Sequence, residues 1–116
     1  MCGACGKDVR KDPVVGTERT LRKHMIVAST INRVCRDQRG APKVTALVNG
    51  WLIAGPSGTS ALCNTVDDVW ATVARMFPDP PTLVALLAEA SLPPQTVGEE
   101  DLPRRTILAG ARHPAV

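Results

Sequence analysis

The dipeptide of Asn49 and Gly50, between two short β-rich runs, constrains the fold of this chain more than any other feature. Asn-Gly is a strong signal for a tight two-residue hairpin, because both residues tolerate the positive φ that such turns need. Residues 44–48 precede the dipeptide and residues 51–54 follow it, and both runs are rich in strand-forming side chains. The sequence therefore predicts an antiparallel hairpin near the middle of the chain.

The stretch after this hairpin predicts a third strand and then a helix. Residues 55–58 are Gly-Pro-Ser-Gly, a composition typical of turns. They do not form a phosphate-binding loop, because such a loop requires a following lysine and none is present. Residues 59–63 predict the strand. Thr65 and Asp68 have the spacing of a helix cap and its third residue, which predicts a helix through about Phe77. Its predicted buried face consists of Val66, Val69, Trp70, Val73 and Phe77.

Another helix is predicted ahead of the hairpin, from about residue 17 or 20 to residue 37. Glu18 in its first turn and Arg36 in its last turn suit the helix dipole. His24 is expected to be partly exposed. The stripe predicted to face the core consists of Leu21, Met25, Ala28, Ile31 and Cys35, with Val27 and Val34 beside it.

Together these elements predict a small α+β domain, in which two helices cover one face of a three-stranded antiparallel meander. We expect this domain, with its N-terminal zinc-knuckle-like segment, to occupy residues 1–77. Prolines bound a short helix at residues 82–90 within the segment 78–94, which begins a Pro-rich C-terminal extension. Residues 95–116 contain three consecutive acids and few apolar residues, so we expect them to be mostly disordered and dispensable for folding.

Four cysteines define the chemistry that the chain could carry. Cys2 and Cys5 form a Cys-Gly-Ala-Cys motif followed by glycine, and such tight turns bring two thiolates onto one metal ion. Tetrahedral Zn²⁺ needs four ligands, and Cys35 and Cys63 complete an all-cysteine set. His24 cannot join Cys35 in one site, because eleven helical residues separate them by about 16 Å along the axis.

Other interpretations of these cysteines stay open. Cys2 and Cys5 could instead form a redox-active dithiol, or an exposed pair without a role. Free cysteine is among the most commonly buried residue types, so Cys35 and Cys63 could be ordinary core residues.

The N-terminal motif resembles the first ligand knuckle of zinc-ribbon and treble-clef proteins, and the order of hairpin then helix is similar to that of a treble clef. The resemblance covers Cys2, Cys5 and, more loosely, Cys63. It implies a zinc ion bound by the chain. The sequence departs from the family pattern because its second ligand pair is split between Cys35 and Cys63.

Charge is distributed unevenly along the chain. Residues 1–43 carry ten Lys or Arg against four acids, residues 44–103 carry one Arg against seven acids, and residues 104–116 carry three Arg and no acid. The basic third could attract nucleic acid or an acidic protein surface, or it could be a solvated helix face. No aromatic residue is interleaved among its cations for base stacking. The candidate partner-binding residues are Arg19, Arg22, Lys23, Arg33 and Arg36.

These features favour a small non-enzymatic, zinc-stabilised binding or regulatory protein. No run reaches the roughly 18 apolar residues of a membrane span, and the first residues do not have a secretory pattern, so we expect a cytoplasmic location and no membrane partner. Two alternatives stay open. One is a thiol-redox sensor that uses Cys2 and Cys5, and the other is an accessory subunit whose apolar segment 82–92 docks on a larger protein.

We predict that the protein retains about one zinc ion per chain when it is purified without chelator, because reduced cytosolic cysteines in this motif favour metal binding. Elemental analysis measures the metal, and a Cys2→Ser, Cys5→Ser double variant should lose it. Metal-free protein in which every cysteine reacts freely with a thiol reagent would contradict the prediction.

Overall fold

The computed structural model describes residues 14–16, 20–36, 38, 40–77, 80–90 and 92–112. Within these residues the chain has an α+β fold with a three-stranded antiparallel sheet in the order β1-β2-β3, so the predicted fold class is confirmed. The predicted N-terminal knuckle lies outside the described residues. The elements in chain order are α1 (Leu21–Val34), β1 (Lys43–Leu47), β2 (Gly50–Ala54), β3 (Ser60–Cys63), α2 (Val66–Met76), α3 (Pro80–Glu89), a 3-10 helix (Gly98–Asp101) and α4 (Leu102–Arg112).

The sheet has one buried face and one exposed face. Val44, Trp51 and Ile53 lie on the buried face, which packs against α1 and α2. Leu62 lies on the other face and is 72% exposed. The period-two alternation along each strand therefore separates core from surface, as expected for a half-covered antiparallel sheet.

The hairpin turn lies one residue earlier than the sequence predicted. Leu47 pairs with Gly50, so the two loop residues are Val48 and Asn49. No described residue other than glycine has a positive φ, so the Asn-Gly turn geometry is not used. Gly50 instead begins β2, where a Cβ atom would collide with the carbonyl oxygen of Cys63 on β3. The glycine is needed because two strands approach closely at that point.

Helix α1 begins after Thr20, whose hydroxyl accepts a hydrogen bond from the Lys23 N–H at 3.2 Å. Its predicted buried stripe is partly wrong, because Leu21 is 44% exposed and Met25 is 56% exposed. The expectation that His24 is partly exposed is also wrong, because its side chain is fully buried. The core side of α1 is therefore rotated toward His24 and away from Met25.

Polar contacts explain why a histidine is buried here. The Nδ1 atom of His24 lies 2.8 Å from the carbonyl oxygen of Leu47, and its ring packs against Trp51 with the ring centroids 4.5 Å apart. The indole N–H of Trp51 donates to the carbonyl oxygen of His24 at 2.9 Å. The ring is thus hydrogen-bonded within the core, which removes much of the cost of burying it.

Helix α2 matches its prediction. The hydroxyl of Thr65 accepts a hydrogen bond from the Asp68 N–H at 3.1 Å, as in the predicted cap. All five residues of the predicted buried face are at most 5% exposed. A local cap and a regular apolar stripe were sufficient to predict this element.

The C-terminal region differs from its prediction. Residues 102–112 form α4, which packs against the other three described helices, whereas the sequence predicted a mostly disordered tail. Leu102 and Thr106 are fully buried, and Ala109 is 1% exposed. The indole N–H of Trp70 donates to the Thr106 carbonyl oxygen at 2.9 Å. The composition of residues 95–116 predicted disorder because composition does not show that the few buried residues have helical spacing. Packing against the rest of the protein stabilises this helix, although its local sequence does not specify one.

We predict that Gly110→Ala destabilises the protein by about 1 to 3 kcal/mol through overpacking. A Cβ atom at this position would lie 2.6 Å from the Trp70 indole, which is itself 1% exposed and cannot move away easily. Helix propensity alone predicts the opposite, a gain of about 1 kcal/mol. Urea unfolding gives the sign, with Ala111→Gly as the control for propensity in the same turn. A Gly110→Ala variant more stable than wild type would show that α4 does not pack on Trp70.

Candidate partner-binding face

Helix α1 lies beside β1, an edge strand of the sheet, and an asparagine side chain links the two. The Nδ2 group of Asn32 donates a hydrogen bond to the Val44 carbonyl oxygen at 2.8 Å, and its Oδ1 atom accepts one from the Val44 N–H at 2.9 Å. Both backbone groups of Val44 are thereby paired, as they would be by a neighbouring strand. This contact fixes the position of α1 along the strand.

A shallow groove runs between α1 and β1 next to this contact. Ser29, Arg33 and Arg36 line its helix side, and Lys43 and Thr45 line its strand side. Arg33, Arg36 and Lys43 are cations, and none of the described residues that line the groove is acidic. The groove is therefore a concave surface of positive charge.

Exposed side chains of α1 continue this surface along the helix. Arg22 and Ser29 are spaced by seven residues, which places them on the same side of the helix, and Arg36 follows two residues after its last residue, Val34. Met25 and Arg33 also lie on this side and are exposed. We use the name basic face for Leu21, Arg22, Met25, Ser29, Arg33, Arg36 and Lys43.

A second groove borders the basic face on its other side. Leu21 and Ile26 of α1 line it together with Pro103 of α4. Toward α3, Arg33 also lines a cavity that contains Glu89. The exposed ridge of α1 thus stands between two depressions, and its most positive end lies toward Arg36 and Lys43.

The structure places the predicted partner-binding residues as follows. Arg22, Arg33 and Arg36 lie on the basic face, whereas Lys23 lies about a quarter turn away and is half-buried. Arg19 lies outside the described residues. Sequence reasoning did not single out Met25 as a surface residue, because its helical spacing fitted the apolar stripe.

Cys35 and Cys63, the two predicted zinc ligands among the described residues, lie on different elements. Cys35 follows the end of α1, and Cys63 ends β3, where it pairs with Trp51. The described residues contain no cluster of three or more His, Cys, Asp or Glu side chains suited to a metal. Cys2 and Cys5 lie outside these residues, so the four-cysteine zinc site stays a prediction.

Both described cysteines have the environment of core thiols. Burial raises the pKa of Cys35 to about 11. Burial also raises the pKa of Cys63, whose Sγ atom lies 3.3 Å from the hydroxyl of Thr72. Raised pKa values favour the protonated thiol over the thiolate that a metal binds.

An apolar cavity of about 250 Å³ lies between α2, α3 and α4. Trp70, Leu83, Val84 and Leu87 contribute to its lining, and none of its described lining residues is charged. It adjoins the segment 82–92 that the accessory-subunit alternative identified. This cavity offers hydrophobic contact but no charge by which to infer a partner.

Comparison with protein-family models, with curated proteins and with solved structures gives no match for this chain. None of the helices in the described part of the chain is long and apolar enough to cross a membrane. A function is therefore inferred from the geometry and charge of the basic face.

We predict that Cys35 makes the protein less stable at alkaline pH. Its pKa is about 11 when folded against 9.0 for an exposed thiol, so the unfolded chain loses the proton first and stability falls as pH rises from 9.0 toward about 11. The loss should reach about 2 kcal/mol between about pH 8 and about pH 10.5.

Urea unfolding of wild type and Cys35→Ala across this range tests the effect, and the variant should show a flatter pH dependence. The chain contains no tyrosine, whose titration would otherwise overlap this range. Parallel curves for the two proteins would contradict a buried protonated thiol at Cys35.

Proposed function

We propose that this chain is a non-enzymatic binding protein that holds an acidic partner on the basic face. The observation that supports the proposal is the groove between α1 and β1, which three cations line and which no described acidic residue lines. Arg33 lies on α1, Arg36 follows the end of α1 and Lys43 begins β1, and the Asn32 side chain links the helix to the strand through paired hydrogen bonds. The cations are therefore carried on a backbone that is already ordered before a partner arrives, which lowers the entropy cost of binding.

The charge distribution supports binding of an anionic partner in one orientation. Asp67 and Asp68 begin α2, beyond β3, at the edge of the sheet opposite to β1. A partner with negative charge is thus attracted toward β1 and repelled from the far edge. Such separation of charge raises association rates and fixes orientation more than it raises affinity.

Single exposed ion pairs contribute little, typically about 0.2 to 1 kcal/mol each. Affinity for a partner therefore needs several cations acting together, with apolar contact added. Met25 supplies exposed apolar surface among the cations, so the basic face combines both kinds of contact. Zinc binding at Cys2 and Cys5 is a separate proposal, and the basic face does not depend on it.

We predict that Arg33→Glu weakens binding of polyanions by about fivefold, because it replaces attraction with repulsion at the centre of the basic face. The probes are labelled duplex DNA, single-stranded DNA and poly-glutamate, and fluorescence anisotropy reports binding at about 50 mM and about 200 mM salt. Arg75→Glu is the matched control, because Arg75 is an exposed arginine in the last turn of α2, away from the basic face.

The control should bind within about twofold of wild type, since exposed charges far from a contact are screened. Thermal unfolding of each variant excludes loss of folding as the cause. If wild type binds none of the three probes at low salt, or if Arg75→Glu weakens binding as much as Arg33→Glu, the proposed function is wrong.

A further inference from the structure

Along α1 the basic face has a gradient from a mixed end, where Arg22 lies between two exposed apolar side chains, to a cationic end. Leu21 and Met25, near the start of the helix, are 44% and 56% exposed. Arg33, Arg36 and Lys43 lie toward its other end. Helix α1 spans 14 residues, Leu21–Val34, or about 21 Å along its axis, so a partner helix of about 15 residues matches its length. A complementary partner needs apolar residues at one end and acids at the other.

Nucleic acid fits this gradient poorly. Trp51, Trp70 and Phe77 are the only aromatic residues of the chain, and all three are at most 5% exposed. No aromatic side chain is therefore available to stack on a base. A duplex would bring its phosphates against Leu21 and Met25 as well as against the cations, and phosphates gain nothing from apolar side chains.

The edge of β1 is also poorly suited to a partner strand. Addition of a strand requires free backbone groups on an edge, and Asn32 already pairs both groups of Val44 at 2.8 and 2.9 Å. A strand that pairs along β1 would have to break both hydrogen bonds. The side of α1 is the more accessible surface.

The shape of this surface suits a helix. Met25, Ser29 and Arg33 are spaced by four residues and form a ridge with a groove on each side. Ridges of this spacing pack into the grooves of a second helix, and the small Ser29 in the middle permits close approach. Methionine adapts its shape to an apolar partner.

We propose, on the basis of the proposed function, that the partner is an amphipathic helix of another protein. Its apolar residues pack on Leu21 and Met25, and its acidic residues lie over Arg33, Arg36 and Lys43. Acidic residues are favoured in the first turn of a helix, so its N-terminus lies near Arg36 and it runs antiparallel to α1. The apolar contact gives the face a specificity that charge alone lacks.

Two synthetic peptides of about 15 residues, the length that matches the face, test this proposal. One carries glutamates in its first half and a leucine stripe at helical spacing in its second half, and the other has the same composition scrambled. Binding is followed by anisotropy, and backbone NMR shifts locate the contact. We expect the ordered peptide to bind at least about tenfold more tightly than the scrambled one and to shift α1 resonances.

Met25→Ser separates the apolar contact from the electrostatic one, because it removes hydrophobic area and leaves the charge unchanged. It should weaken the ordered peptide about tenfold and duplex DNA much less, because phosphates gain little from an apolar side chain. Val84→Ser is the matched control, because Val84 is an exposed apolar residue on α3, away from the basic face, and is 49% exposed.

The outcomes distinguish this inference from the proposed function. Equal binding of the two peptides, tighter binding of duplex DNA than of the ordered peptide, or no effect of Met25→Ser would overturn the helical partner and leave an acidic partner in place. Failure of every polyanion to bind at low salt would overturn the proposed function itself.

Discussion

The placement of α1 on the sheet depends on polar contacts at both ends of the helix. His24 contacts Leu47 and Trp51 near the hairpin, and Asn32 pairs with Val44 near the start of β1. Hydrophobic contact alone is non-directional and would tolerate some rotation of the helix. Breaking these hydrogen bonds would leave buried polar groups unpaired, which costs free energy. The bonds therefore hold the helix in one rotation. That rotation exposes Met25 beside the cations and so creates the basic face.

Helix α4 links the C-terminal extension to this same surface. It contacts α1, α2 and α3, and its Pro103 lines one of the two grooves beside the basic face. At Gly110 the backbone of α4 packs against the indole of Trp70. The contact is so close that only glycine, which has no Cβ atom, fits there. The extension therefore completes both the core and the shape of the proposed binding face.

The four cysteines fall into two groups, because only Cys35 and Cys63 are among the residues that the structure describes. Cys35 and Cys63 are buried thiols of the described core, and burial raises the pKa of each. A zinc ion at Cys2 and Cys5 needs further ligands, and Cys35 and Cys63 remain the predicted ones. The basic face contains no cysteine, so partner binding and metal binding can be tested independently.

Local signals in the sequence determined several features of this protein. The hairpin region, the cap at Thr65 and the apolar stripe of α2 were predicted because residues a few positions apart specify them. The segregation of charge along the chain was also visible in the sequence. These features need no knowledge of distant contacts.

Only the tertiary structure decided the rest. The carbonyl oxygen of Cys63 leaves no room for a Cβ atom at position 50, so Gly50 serves a strand, and the turn lies one residue earlier than predicted. His24 packs against Trp51 in the core and Met25 is exposed, although the periodicity of the sequence predicted that Met25 is buried and His24 partly exposed. Trp70 stabilises α4, whose composition predicted disorder. Each of these results from a contact between residues distant in sequence, and such contacts outweigh the small free-energy differences that local propensity provides.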